Sequence, residues 1–544
     1  MTTQKRDRQS RPHRTKVRSV APPVQLDGLS WLDSEQEAVK ARTPLWARTV
    51  VDVAREGRRV ELTSRATARL REGRSALELA LDDGEAHYGI NTGFGSFSRQ
   101  RIPPGDLRDL QRNLIRSHAA GVGDPLPTEL VRGMMLLLAA SLSRGYSGVR
   151  PLVVQTLVEM LNRGVHPIVP SVGSCGASGD LAPLAHVILV SIGEGHAELN
   201  GRLLSGSAAM KQAKIQPLSL EAKEGLALIN GTHLMAASAA LLTHDFDRLL
   251  EAAIIAAAAS IDACRATDAF LDDRVHELRG QVGQVYVAER IRGLLKGSRI
   301  LPSHRDNDPR VQDPYSLRCS PQVLGAVVDA ADYAGEAFIT ELLAVTDNPL
   351  VFSRRNRYGK AATDIVSAGN FHGMPLAIPL DTLAIAICHL AGISERRIYH
   401  MLSAFDTDAG LAPYLSPKPG LHSGLMIAQY TAAACCNELI GLATPASVAN
   451  LSTSAGMEDY NSWGPRAATK ARRSLDLAIS VVAVELICAS EAIERHRPLR
   501  SSPAIEKIVS TVRRQVPRLV ADRPPAPDIA AVAAMITRGE IAEA

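Results

Sequence analysis

The chain has 544 residues, 46 % of them hydrophobic, enough for two to four structural units around large cores and for a deeply buried site. Its formal charge of +4 is local: Lys5, Arg6, Arg8, Arg11, Arg14, Lys16 and Arg18 against Asp7 put +6 into Met1–Arg18 and leave −2 for the rest, which excludes a general nucleic-acid-binding body. Aromatic residues make up only 4 %, and the abundance of Ala, Leu and Val suits closely packed long helices, so an all-α fold is predicted.

Residues 1–45 read as a disordered basic tail and lead-in, without the apolar core of a secretory signal. Residues 46–220 are predicted to form a smaller N-terminal helical domain, in which short helices alternate with Gly/Pro-rich loops at Tyr88–Gly95, Gly121–Pro125 and Pro167–Pro183. Glycine-rich loops between helices are where chemistry tends to be positioned. Beyond Leu220, the stretches His244–Arg265, Asp329–Val345, Pro379–Ser403 and Arg466–Arg497 are alanine-rich and apolar on more than one stripe. They are predicted as the long helices of a central bundle over residues 221–500, with residues 501–544 as a C-terminal segment. Helices this apolar require burial in the bundle or against other subunits, which predicts a homo-oligomer.

No internal repeat or strand-rich region is evident, and Gly93-Phe-Gly95 lacks the third glycine of a dinucleotide-binding turn. The apolar runs Ala252–Ile261 and Met374–Ile393 are too short to span a bilayer or are interrupted by Asp381 and His389, so no membrane span is predicted. Seven cysteines, at 175, 264, 319, 388, 435, 436 and 488, lack metal-ligand or disulfide spacing. They read as free thiols in a reducing cytoplasm, and no metal is expected.

The run from Gly173 to Asp180 consists mostly of small residues, whose backbone atoms can approach one another closely. If the chain is sharply bent there, the Gly179 nitrogen can attack the Ala177 carbonyl. Loss of water from the new ring and from the Ser178 side chain then leaves a 4-methylidene-imidazol-5-one (MIO), an electrophile made without an added cofactor. The bland alternative is a turn opening a helix near Asp180. A serine-hydrolase role for Ser178 fails because no Gly-x-Ser-x-Gly elbow surrounds it.

The string GSCGASGDLAPLAH over Gly173–His186 resembles the signature of the histidine/phenylalanine/tyrosine ammonia-lyase family. The resemblance extends over roughly Leu62–Arg495 and implies specific residue roles. In YGINTGFG, Tyr88 takes the place of the catalytic base, which requires neighbours that favour its phenolate, such as helix N-termini and cations. In LINGT, Asn230 takes the place of the residue contacting the prosthetic group and the reacting amine. QDPYSLRCSPQ implies that Gln312 and Tyr315 line the site and that Arg318 clamps the substrate carboxylate with its planar fork. GNFHG places Phe371 as an aromatic wall, STSAGMEDY puts Glu458 in the pocket, and His118 in SHAAGVG falls where substrates are discriminated. The spread of these motifs from Tyr88 to Glu458, together with long apolar helices that need partners, predicts a homotetramer with composite sites; the expected partner is a small aromatic amino acid, with no nucleic acid or membrane.

Imidazole has one N–H donor and one bare nitrogen, and leaving either buried and unpaired costs about 1–3 kcal/mol. A histidine and a glutamate at these two positions go, in the family, with L-histidine as substrate and trans-urocanate as product. Met457, Tyr460–Trp463, His422 and Cys436–Leu439 depart from the histidine branch. A 2,3-aminomutase or a tyrosine ammonia-lyase of the same family therefore stays open, as does a cofactor-less scaffold or amino-acid-binding relative with an uncyclised tripeptide.

Overall fold

A computed structural model of the chain describes residues 21–27, 45–83, 85–306 and 308–544, apart from the side chain of Leu45. Helix dominates, as the composition predicts. His233–Ala263, Ser320–Leu342, Met374–Ser403 and Gly464–Arg495 pack together as the central bundle. The first and last are buried on nearly every face; the stretch Ala256–Ala259 is almost wholly inaccessible, its small side chains allowing close helix approach. Arg397 and Glu485, both fully buried, pair inside this core, and Glu485 also accepts from Ser260 Oγ at 2.7 Å and Ser394 Oγ at 2.6 Å. One carboxylate thus ties three long helices together.

Met374–Ser403 is long and apolar enough by composition to cross a membrane, but most of its apolar window is buried in the bundle. Its apolarity serves packing between Ser320–Leu342 and Gly464–Arg495. The segment after residue 500 forms two further helices, Pro503–Arg513 and Ala526–Arg538, the second packed on Gly464–Arg495. Ser502 caps the first by accepting from Ile505 N at 3.1 Å.

Within the lead-in, Val24–Leu26 forms a strand parallel to Val60–Leu62 and buries Val24 and Leu26; the basic tail Met1–Arg18 lies outside the described residues. The chain also holds small sheets not foreseen from its sequence, including the antiparallel hairpin Leu350–Arg355 with Ala361–Val366 and the three-stranded set at residues 166–167, 196–199 and 202–205.

Candidate active site

The tripeptide sits on a sharp bend. Ser178 and Gly179 both have left-handed backbone angles, φ +50° and +78°, and Gly176 pairs across the bend with Gly179. A non-glycine residue at φ near +50° is strained and is held only by its surroundings. Those surroundings are specific: Ser174 Oγ donates to Gly179 O at 2.8 Å, Gly231 N to Ser178 O at 3.3 Å, and Trp463 N to Cys175 O at 3.0 Å. A Cβ on Gly179 would lie 2.1 Å from Gly231 O, so only glycine fits there.

Asp180 then opens the helix Leu181–Ser191, and its buried carboxylate accepts from Leu234 N at 2.8 Å and Met235 N at 3.3 Å, at the start of His233–Ala263. Burial pushes this carboxyl up to about 7 despite those two donors. The bend is thereby bolted to the first turn of a bundle helix.

Ser178 faces a cavity of about 560 Å³ whose lining includes Tyr88, His118, Leu226 and Glu458. Each polar group is aimed by local structure. Tyr88 Oη accepts from Gly95 N at 3.2 Å, where the short helix Gly95–Phe97 begins. Gly95 has φ +52°, and a Cβ on it would stand 2.5 Å from Ser454 Oγ, so the glycine loop meshes with the loop that carries Glu458. Thr453 and Glu458 pair through their backbones, and Thr453 Oγ1 donates to Glu458 Oε2 at 3.2 Å.

His118 ends the helix Leu107–His118. Its Nδ1 lies 2.9 Å from Leu114 O, and a carbonyl can only accept, so Nδ1 carries the proton and Nε2 is left as an acceptor. Burial lowers the His118 pKa, opposed by the Leu114 carbonyl and by Glu458, which keeps the ring neutral near pH 7. Gly121 N donates to His186 Nε2 at 3.1 Å, joining the chain just beyond His118 to the helix that follows the tripeptide.

His118 Nε2 is an acceptor, as are the Glu458 carboxyl oxygens that accept in this structure, so neither is placed to donate to a bare imidazole nitrogen. The amides of Gln100 and Asn113 line the same cavity and carry the needed N–H groups. No Lys or Arg is among the described residues that line this cavity.

Asn230 lies beside the bend, immediately before Gly231. Asn230 is not among the residues lining the cavity, and neither are Gln312, Tyr315, Arg318 and Phe371. Tyr315 is 71 % exposed. Arg318 stacks its guanidinium 4.5 Å from the Tyr315 ring centroid and donates through Nε to Asp313 O at 2.9 Å, with no carboxylate partner among the described residues. Phe371 is half-buried in a loop whose His372 Nε2 reaches Tyr460 O at 3.0 Å. Two further buried groups near Asn230, Lys223 and Asp347, carry charges in otherwise unremarkable segments, and only their burial marks them.

A helical bundle that holds a strained Ala-Ser-Gly bend beside a cavity lined by a tyrosine, a histidine and a carboxylate has the makings of an enzyme active site. The family model described as "Aromatic amino acid lyase" matches residues 45–514. The chain belongs to that family. It is 46 % identical over 500 residues to a histidine ammonia-lyase of Koribacter versatilis, covering 91 % of this chain and 96 % of that one. Among solved structures, a histidine ammonia-lyase from Trypanosoma cruzi superposes with TM-score 0.83 at 37 % identity, covering 91 % and 92 % of the two chains. A tyrosine aminomutase from Streptomyces globisporus gives 0.86 at 33 % identity, covering 96 % and 98 %.

Proposed function

We propose that this chain eliminates ammonia from L-histidine to give trans-urocanate, using an MIO group formed from Ala177, Ser178 and Gly179. The observation that carries the reading is the convergence of Ser178, Tyr88, His118 and Glu458 on one cavity. Likeness to histidine ammonia-lyases over nine-tenths of the chain supports it. The tripeptide fits the group: the left-handed bend and the glycine-only approach to Gly231 suit closure of the Gly179 nitrogen onto the Ala177 carbon with loss of two waters. Once formed, the group supplies an electrophile that turns the substrate's nitrogen into a better leaving group.

The protein's own residues do the rest. Tyr88, its oxygen oriented by Gly95 N–H, takes the β-proton. The ring N–H of the substrate donates to Glu458 or His118 Nε2, while Gln100 or Asn113 donates to the bare ring nitrogen. Asn230 contacts the departing amine. Gln312, Tyr315, Arg318 and Phe371 complete the site from neighbouring subunits of a homotetramer, with Arg318 binding the substrate carboxylate. Exposed Tyr315 supports this, as does the apolar helix Met426–Leu442, which buries Ala428, Ala432 and Leu439 but leaves Ile427, Tyr430 and Ile440 exposed. We retain the division at residues 220 and 500 as an organisational proposal. Seven free cysteines support operation in the reducing cytoplasm.

Incubation with L-histidine tests the reading: urocanate and free ammonia should accumulate together. β-Histidine as the main product would establish the aminomutase alternative, which the likeness to a tyrosine aminomutase keeps relevant. Much faster consumption of L-tyrosine would overturn the assignment of the ring.

A further inference from the structure

Asn230 is 3 % exposed and closes the short helix Glu224–Ile229, next to the tripeptide. Its side-chain nitrogen lies 2.9 Å from the backbone oxygen of Asn348 and 3.5 Å from Asp347 Oδ1. Both neighbours are acceptors, so the amide nitrogen must face them and Oδ1 must face away. That oxygen is buried and has no hydrogen-bond partner among the described residues. An unpaired buried acceptor costs about 1–3 kcal/mol, so its persistence points to a ligand.

Asp347 is itself fixed from both sides. Lys223 Nζ is 2.6 Å from Asp347 Oδ2, and Asn348 N donates to Oδ1 at 2.6 Å. Lys223 is fully inaccessible and held at φ +73°. Burying a lysine and an aspartate carries a desolvation cost that packing alone does not call for.

We propose that Lys223 and Asp347 are positioning residues that lock the Asn230 amide with its oxygen turned to the reaction site, where it accepts an N–H from the substrate's amine. The proposal rests on the ammonia-lyase reading and adds to it the polarity of Asn230, as acceptor rather than donor, and the pair that enforces it. A purely structural role for the pair would instead tie the turn at Lys223 to the loop at Asp347, with no preference for amine-bearing ligands.

The experiment uses calorimetric binding in a full-length Ser178→Ala background, with L-histidine and its deaminated analogue 3-(imidazol-4-yl)propanoate as probes. The charge-neutral variant Lys223→Met/Asp347→Leu should weaken L-histidine about tenfold and leave the analogue unchanged. Lys223→Gln/Asp347→Asn, which keeps an acceptor at 347, should restore histidine binding to within about twofold. If Lys223→Met/Asp347→Leu does not fold, Asn230→Leu reads the same selectivity. Equal weakening of both probes, or of neither, overturns the proposal. Failure of the Ser178→Ala parent to bind L-histidine at all overturns the substrate reading and the proposal with it. In the Ser178-bearing enzyme, with dehydration checked by intact mass, Asn230→Leu should lower kcat, and an unchanged kcat would count against the acceptor role.

Discussion

At Gly179 an added methyl would fall 2.1 Å from Gly231 O, and at Gly231 it would fall 2.6 Å from His233 Cε1. Gly179→Ala should therefore cost about 2–3 kcal/mol in stability and abolish turnover. Differential scanning calorimetry and assay on one preparation would check both. In the cavity, Glu458→Gln should reduce kcat/KM for histidine about tenfold, and His118→Leu should improve acceptance of phenylalanine relative to histidine. A parallel assay with the two amino acids reads this. His233 adds a pH signature: its buried ring has no hydrogen-bond partner among the described residues, and burial lowers its pKa to about 4. An unfolded histidine takes up its proton near pH 6.5, so acidification from 6.5 to 4 stabilises the unfolded chain and removes up to about 3 kcal/mol of stability. His233→Gln should flatten that part of the stability profile, and an unchanged acid limb in urea unfolding would contradict the assignment. The meeting of Ser178, Tyr88, His118 and Glu458 at one cavity was legible because each lies in a dense motif. Lys223 and Asp347 were not, since isolated charges in a sequence look like surface and only the fold reveals their burial.

Among the elements, the long helices were legible in number and place but not at their starts. The helix read from His244 begins at His233, because the Asn230-Gly-Thr232 turn ends just before HLMAASAALL, whose apolar faces are all buried. The helix read from Asp329 begins at Ser320, with Pro321 in its first turn, where a missing N–H costs nothing. The hairpin over residues 350–366 was missed although its signal was present: hydrophobic strands flank Asn356–Lys360, and Asn356 Oδ1 accepts from Tyr358 N and Lys360 N in the turn. One small element offers a clean control. Thr63 caps Ser64–Leu81 by accepting from Ala66 N at 3.1 Å, away from the cavity. Thr63→Ala should cost about 1 kcal/mol, seen as a lower Tm, with kcat unchanged.

For the whole molecule, the cavity of one chain is lined by Tyr88, His118, Ser178 and Glu458, while Tyr315 and Arg318 are not among its lining residues. Composite sites in a tetramer predict complementation: Tyr88→Phe and Arg318→Ala, each inactive alone, should regain measurable activity when co-expressed, and none if each chain works by itself. Deleting Met1–Arg18 should leave turnover unchanged, since those charges belong to a tail outside the matched family region. All of this depends on the bend at Ala177-Ser178-Gly179 becoming an electrophile. Intact-mass measurement of the purified chain tests that directly: the mass should fall two waters short of the encoded value, and Ser178→Ala should recover at least one of them while losing nearly all activity. A wild-type mass equal to the encoded one would contradict the account.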